Sequence, residues 1–112
     1  MGAEELVESL LKEKKVVVFS KSACPFSKKA KEALAKYNLS DKVYAVIELD
    51  KKIPDEMNEI LDYLQKKTGA RTVPRVFIGG QFVGGGNDTV SLEEKGELKK
   101  LLENAGAVAQ SC

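Results

Sequence analysis

The residues best placed to do chemistry are Cys24 and the three that follow it, Pro25, Phe26 and Ser27. They come directly after an unbroken apolar run, Val16-Val17-Val18-Phe19, short enough for a buried strand, and they lead into a segment with helical spacing. Proline is tolerated at the first position of a helix because an N–H there would have no partner, so Pro25 is expected at N1 and Cys24 at the N-cap. A sulfur in that place faces the unpaired N–H groups of the first turn and the positive end of the helix dipole. Both favour thiolate over thiol, and Lys21, Lys28 and Lys29 push in the same direction. Such surroundings bring a cysteine pKa from about 8.5 into the range of roughly 3.5 to 7.5. Cys24 is therefore expected to be a nucleophile at neutral pH, where a lone cysteine without these neighbours would more often be a small buried apolar residue.

The chain has no histidine, which removes the usual general base, the Cys-His pair and most zinc sites together. Two cysteines, Cys24 and Cys112, are too few for a disulfide framework and do not form a metal-ligand pattern within one chain. No metal is expected. Cys112 lies close to the end, where a bystander thiol is the expectation, and the tail from residue 107 is expected to fray.

Several elements must position Cys24. Residues 3 to 13 place Ala3, Leu6, Val7, Leu10 and Leu11 on one helical stripe. After the strand at 16 to 20, Phe26, Ala30, Ala33, Leu34 and Tyr37 predict a helix to about Tyr37, with Asn38 as its stop. Residues 43 to 49 have strand character and suit a place near a sheet edge; the helix between would be the crossover that a parallel pair needs. Met57, Ile60, Leu61 and Leu64 predict a third helix over 55 to 68, ending at Gly69. The apolar runs 75 to 78 and 81 to 83 are joined by Gly79-Gly80, a hairpin signal. Gly84-Gly85-Gly86 frees the backbone for a close approach. Asp88 or Ser91 is expected to cap a last helical region, broken near Gly96, with Leu98, Leu101, Leu102 and Ala105 inward. The order predicts an α/β fold of thioredoxin type, a four-stranded mixed sheet with helices on both faces.

The 112 residues are expected to form a single domain, 1–112, with an ordinary core and no disorder signature at 43% apolar and 31% charged content. A net charge of +1 gives no broad field for nucleic acid or acidic membranes, and neither is expected as a partner. No apolar stretch approaches the roughly 20 residues of a membrane span. The acidic start, without a signal-peptide core, points to a cytoplasmic location, and a monomer is expected.

Three motifs together resemble the glutaredoxin family over residues 16 to 108. They are Cys24-Pro25-Phe26-Ser27, then Thr68-Gly69-Ala70-Arg71-Thr72-Val73-Pro74-Arg75-Val76-Phe77-Ile78, then Gly84-Gly85-Gly86-Asn87-Asp88. The resemblance implies a glutathione-dependent thiol-disulfide oxidoreductase, with glutathione as co-substrate and glutathionylated proteins and small mixed disulfides as partners. It implies a cis bond before Pro74 in Thr72-Val73-Pro74, leaving the Val73 backbone free to pair with the cysteine of glutathione. It implies Lys21, with Arg71 as a possible second group, for the glycyl carboxylate, and Asn87 and Asp88 for the γ-glutamyl end. Phe26 would wall the cleft. Leu61 stands where many members carry a glutamine that contacts the glycyl end, so Lys21 would carry more of that contact.

Many members also have a second cysteine where this chain has Ser27. A serine is nearly isosteric and can donate a hydrogen bond to the thiolate, but it cannot resolve a disulfide. A one-thiol mechanism through Cys24 is expected, whether the serine is natural or replaces a cysteine. One alternative is an iron-sulfur carrier, in which Cys24 of two protomers and two glutathiones would supply four thiolates, although Pro25 stiffens the loop that would open around the cluster. Another is a binding module without catalysis.

Overall fold

The computed structural model describes residues 2–108. Helix α1 (Ala3–Glu13) is followed by strand β1 (Val16–Ser20), helix α2 (Pro25–Ala35) and strand β2 (Tyr44–Glu48). A short 3-10 turn at Leu49–Lys51 leads to helix α3 (Pro54–Thr68), then to strands β3 (Arg75–Ile78) and β4 (Gln81–Gly84), and finally to helices α4 (Gly86–Glu94) and α5 (Glu97–Asn104). The strands form one sheet in the order β2-β1-β3-β4, with β1 parallel to β2 and the other neighbours antiparallel. This is the mixed four-stranded sheet that the residue pattern predicts, with β2 at its edge. No helix among the described residues is long and apolar enough to cross a membrane.

Strand β1 explains why its sequence does not alternate. All five of its residues are buried, because helices cover both faces of the sheet at this strand. Val17 and Phe19 enter a cluster with Val7, Leu11, Ile60, Leu64 and Phe77, beneath α1 and α3. Val16 and Val18 enter the opposite cluster with Ala30, Leu34, Val76, Leu98 and Leu102, beneath α2 and α5. Each such side chain is worth roughly 1.5–3 kcal/mol when removed from water, so the two clusters fix the end of β1, and with it the loop that carries Cys24.

Some boundaries differ from the sequence expectation. Helix α2 ends at Ala35 rather than Tyr37, with Tyr37 and Asn38 held in turns by N–H bonds to the Leu34 and Ala35 carbonyls. Leu49 belongs to the 3-10 turn and is fully buried, which shortens β2. Neither Asp88 nor Ser91 is the N-cap residue of the helix after the hairpin. Gly85 is its N-cap, and Asp88 sits at the third helical position, from which its carboxylate accepts the Gly85 N–H at 2.9 Å. That is the inner half of a capping box, which a search for a leading Asp or Ser does not find. The break at Gly96 is real and separates two helices.

The hairpin link is as expected: Gly79 and Gly80 have φ of 62° and 79°, the two positive values that the tight turn favoured between twisted strands requires. Gly86 has a different task. A Cβ there would stand 2.5 Å from the backbone oxygen of Phe26, so only glycine lets the start of α4 pack on the start of α2. Gly86→Ala is expected to cost about 1–3 kcal/mol as backbone is forced apart, read as a lowered urea midpoint with an unchanged slope; an unchanged midpoint would mean that the two helix starts do not depend on this contact.

Candidate active site

Cys24 is the N-cap of α2 and Pro25 occupies the first turn, as the Cys-Pro order predicts. The loop before it is tied down from two sides. The Cys24 N–H bonds the Lys21 carbonyl at 3.0 Å, and the Lys21 N–H bonds the Ser27 hydroxyl at 3.3 Å. The Asp50 carboxylate accepts the Ser22 N–H at 3.0 and 3.1 Å and the Ser22 hydroxyl at 2.5 Å. These bonds hold the Asp50 carboxyl below its usual range, the hydroxyl first and the N–H second.

The Cys24 thiol is pulled below its ordinary pKa, chiefly by the backbone N–H of Ser27. Burial opposes this, while the Ser27 hydroxyl, the Phe26 N–H and the Lys21 charge add to it. The dominant cause is thus the helix start, with the lysine a minor contributor. Lys29 lies instead over the Phe26 ring, 5.3 Å from its centroid. A group whose folded-state pKa is depressed contributes stability above its unfolded pKa and loses it as pH falls through the folded value. Nucleophilic reactivity follows the same curve, high above the folded pKa and falling below it.

The Val73-Pro74 peptide bond is cis, as the family resemblance implies. It brings the Val73 carbonyl to 3.9 Å from the Cys24 sulfur. Among the described residues no hydrogen bond engages the Val73 N–H. A strand-like partner lying beside the sulfur would therefore find a free donor, and an acceptor held only by a long thiol contact. Phe26 is 47% exposed and Tyr37 half-buried, so of the predicted apolar stripe only Ala30, Ala33 and Leu34 are buried.

Other predicted residues are distributed around this point. Lys21 is half-buried, and among the described residues its ammonium has no ion pair. Arg71 is already engaged: its guanidinium pairs with Asp62 and reaches the Asn58 side-chain oxygen at 3.3 Å, both on α3. Leu61 is 4% exposed and belongs to the core beneath α3, so it offers no polar group to a ligand. Thr72 is exposed, and its hydroxyl accepts a bond from Arg75 at 3.1 Å. Asn87 and Asp88 are exposed in the first turn of α4, and Asn87 also lines a groove toward α2 with Lys29, Glu32 and Val90. Ser27 is fully buried behind the sulfur. Cys112 lies outside the described residues.

Two residues of the site carry no sequence signal of their own kind. Asp50 reads as part of a turn, and its contact to Ser22 spans 28 positions. Arg75 reads as the first residue of a strand. Its Nε donates to the Pro74 carbonyl at 3.2 Å, its Nη groups reach Thr72 at 3.1 Å and Thr68 at 3.4 Å, and it lies 4.8 Å over the Phe82 ring. Burial lowers its pKa, and the Asp88 carboxylate opposes that. A charged residue directly after the proline of an otherwise apolar strand is the one hint that the sequence holds.

An activated sulfur at a helix start, set against a cis-proline loop on a thioredoxin-type sheet, defines a thiol-disulfide oxidoreductase. The family model described as glutaredoxin matches residues 16–83. Glutaredoxin-1 of Oryctolagus cuniculus is 42% identical over 108 residues, covering 96% of this chain and all of the relative. A monothiol glutaredoxin of Caenorhabditis elegans is 46% identical over 94 residues, which are 84% of this chain and 62% of that protein. Among solved structures, oxidized glutaredoxin 2 from Chlamydomonas reinhardtii superposes with a TM-score of 0.85 at 40% identity, covering 96% of this chain and all of that one. A buckwheat glutaredoxin–glutathione complex superposes with the same TM-score of 0.85 at 33% identity, covering 96% and 93%. The chain belongs to the glutaredoxin family of oxidoreductases.

Both the backbone N–H and the hydroxyl of Ser27 lower the Cys24 pKa, and Ser27→Ala removes only the second. In a Cys112→Ser background the pH midpoint of Cys24 alkylation by iodoacetamide is expected to rise but to stay below that of a free thiol, because the larger backbone contribution remains. A midpoint that returned to that of a free thiol would place the whole effect on the hydroxyl and contradict the helix-start account.

Proposed function

We propose that this chain reduces glutathione mixed disulfides by a one-thiol mechanism through Cys24. The observation that carries this is the Cys24 sulfur at the α2 N-cap, 3.9 Å from the carbonyl of a cis-proline loop whose Val73 N–H is free. That backbone would take the cysteine of glutathione as a short antiparallel partner and bring its sulfur beside Cys24. The same fold holds glutathione in the buckwheat relative. Lys21, whose ammonium has no ion pair among the described residues, would meet the glycyl carboxylate, with Phe26 as a wall. Arg71 would help only by leaving Asp62. The N–H groups at Asn87 and Asp88 would meet the γ-glutamyl carboxylate, and the Asp88 side chain its ammonium.

In the first step the Cys24 thiolate attacks the glutathionyl sulfur of the mixed disulfide. The old S–S bond breaks as the new one forms, and the substrate leaves as a thiolate that takes a proton from water. Cys24 then carries glutathione. A reduced glutathione thiolate attacks that adduct, releasing oxidised glutathione and restoring the Cys24 thiolate, so one reduced glutathione is consumed per mixed disulfide and the substrate's own glutathionyl sulfur becomes the other half of the oxidised product. Ser27 cannot enter this exchange, which leaves an internal protein disulfide without a resolving thiol. A monomer acting in the cytoplasm suffices for such a cycle.

With glutathione and a recycling reductase present, the chain is expected to turn over a glutathionylated peptide and to reduce an intramolecular protein disulfide at least about tenfold more slowly, the single step of discrimination worth about 1.4 kcal/mol. Ser27→Cys is expected to raise only the second activity. Equal rates on both substrates in the serine form would overturn the one-thiol cycle. Protein purified without oxygen is expected to have no visible absorption band; an iron-sulfur spectrum would favour the two-protomer cluster carrier instead.

A further inference from the structure

Resting on the glutathione reading above, we propose that Arg75 is a positioning residue that fixes the cis-proline loop and the start of α4 at the separation glutathione spans. The Val73 backbone is flanked by Thr72 and Pro74, and the Arg75 guanidinium holds both, the Thr72 hydroxyl at 3.1 Å and the Pro74 carbonyl at 3.2 Å. The loop cannot tilt about Val73 without breaking one of these bonds. The same group meets α4: a Cβ built on Gly85, the N-cap of α4, would stand 3.5 Å from Nη2 and 3.5 Å from the Pro74 oxygen. Asp88, whose carboxylate holds the Gly85 N–H at 2.9 Å, lies within its field.

The position is anchored from behind as well. The guanidinium lies 4.8 Å over Phe82 on β4 and reaches Thr68 at the end of α3. A planar fork with donors in fixed directions can serve these acceptors at once and stack on a ring, whereas a lysine ammonium is a single point charge. Arg75 is therefore expected to act on the match between the two ends of the cleft and not on the sulfur, whose pKa is lowered chiefly by the Ser27 backbone N–H.

The test compares the second-order rate of Cys24 attack on oxidised glutathione with that on bis(2-hydroxyethyl) disulfide, which has no peptide to align, using the full chain in a Cys112→Ser background. Arg75→Lys is expected to lower the preference for oxidised glutathione by about tenfold, the value of one charge-assisted hydrogen bond. The rate on the hydroxyethyl disulfide and the pH midpoint of Cys24 alkylation are expected to stay as in the parent. Thr72→Val keeps the guanidinium and the fold and removes one acceptor; its preference is expected to fall by about fivefold. The inference is overturned if Arg75→Lys keeps the parent preference, if both disulfides slow equally, or if the Cys24 midpoint moves. A parent chain with no preference for oxidised glutathione would overturn the glutathione reading itself and this inference with it.

Discussion

The first turn of α2 leaves backbone N–H groups without carbonyl partners, and the sulfur of Cys24 is the acceptor that faces them. The rest of the molecule keeps that sulfur still and its surroundings open. Buried on both faces, β1 fixes where the loop begins. Pro25 starts the helix one residue after the sulfur, and the Asp50 carboxylate closes the loop from the other side by accepting bonds from the Ser22 N–H and hydroxyl. Because the largest pull on the thiol is a main-chain one, the reactivity of Cys24 follows from the fold more than from any single side chain.

The same placement governs what can approach. The cis-proline loop stands across from α2 with one backbone donor free, and α4 closes in beside it because Gly86 allows contact with the Phe26 carbonyl. Of the cations near the cleft, Arg71 is spent on Asp62 and Arg75 on the loop, while Lys21 has no ion pair among the described residues. With Leu61 turned into the core, one end of a bound peptide would rest chiefly on the Lys21 charge. The other end would meet a helix start whose first N–H is held by the Asp88 carboxylate, in the field of the Arg75 guanidinium.

Much of this is legible in the residue order, and the parts that are not share a cause. The unbroken Val16–Phe19 run, the Cys-Pro step and the Gly-Gly link each encode a local conformation, and each leads to the right element. The cis bond at Pro74 follows from resemblance alone, since the residues themselves do not favour it. Asp50 with Ser22, Arg71 with Asp62, and Arg75 with Thr72 and Pro74 are side-chain pairings set by how finished elements pack. Their residues read as turn, cleft and strand until the packing is known. The cap of α4 is misassigned from sequence for a related reason: Asp88 does bind a free N–H, but from inside the helix, and the sequence pattern is the same for a leading or a following carboxylate.

The most direct test of Cys24 as the acceptor of glutathione is the intact mass of the protein after brief exposure to oxidised glutathione, with Cys24→Ser beside it. The account predicts one rapid adduct of a single glutathione, reversed by reduced glutathione and absent from the variant. A chain that takes up no adduct, or whose adduct persists in Cys24→Ser, would contradict it.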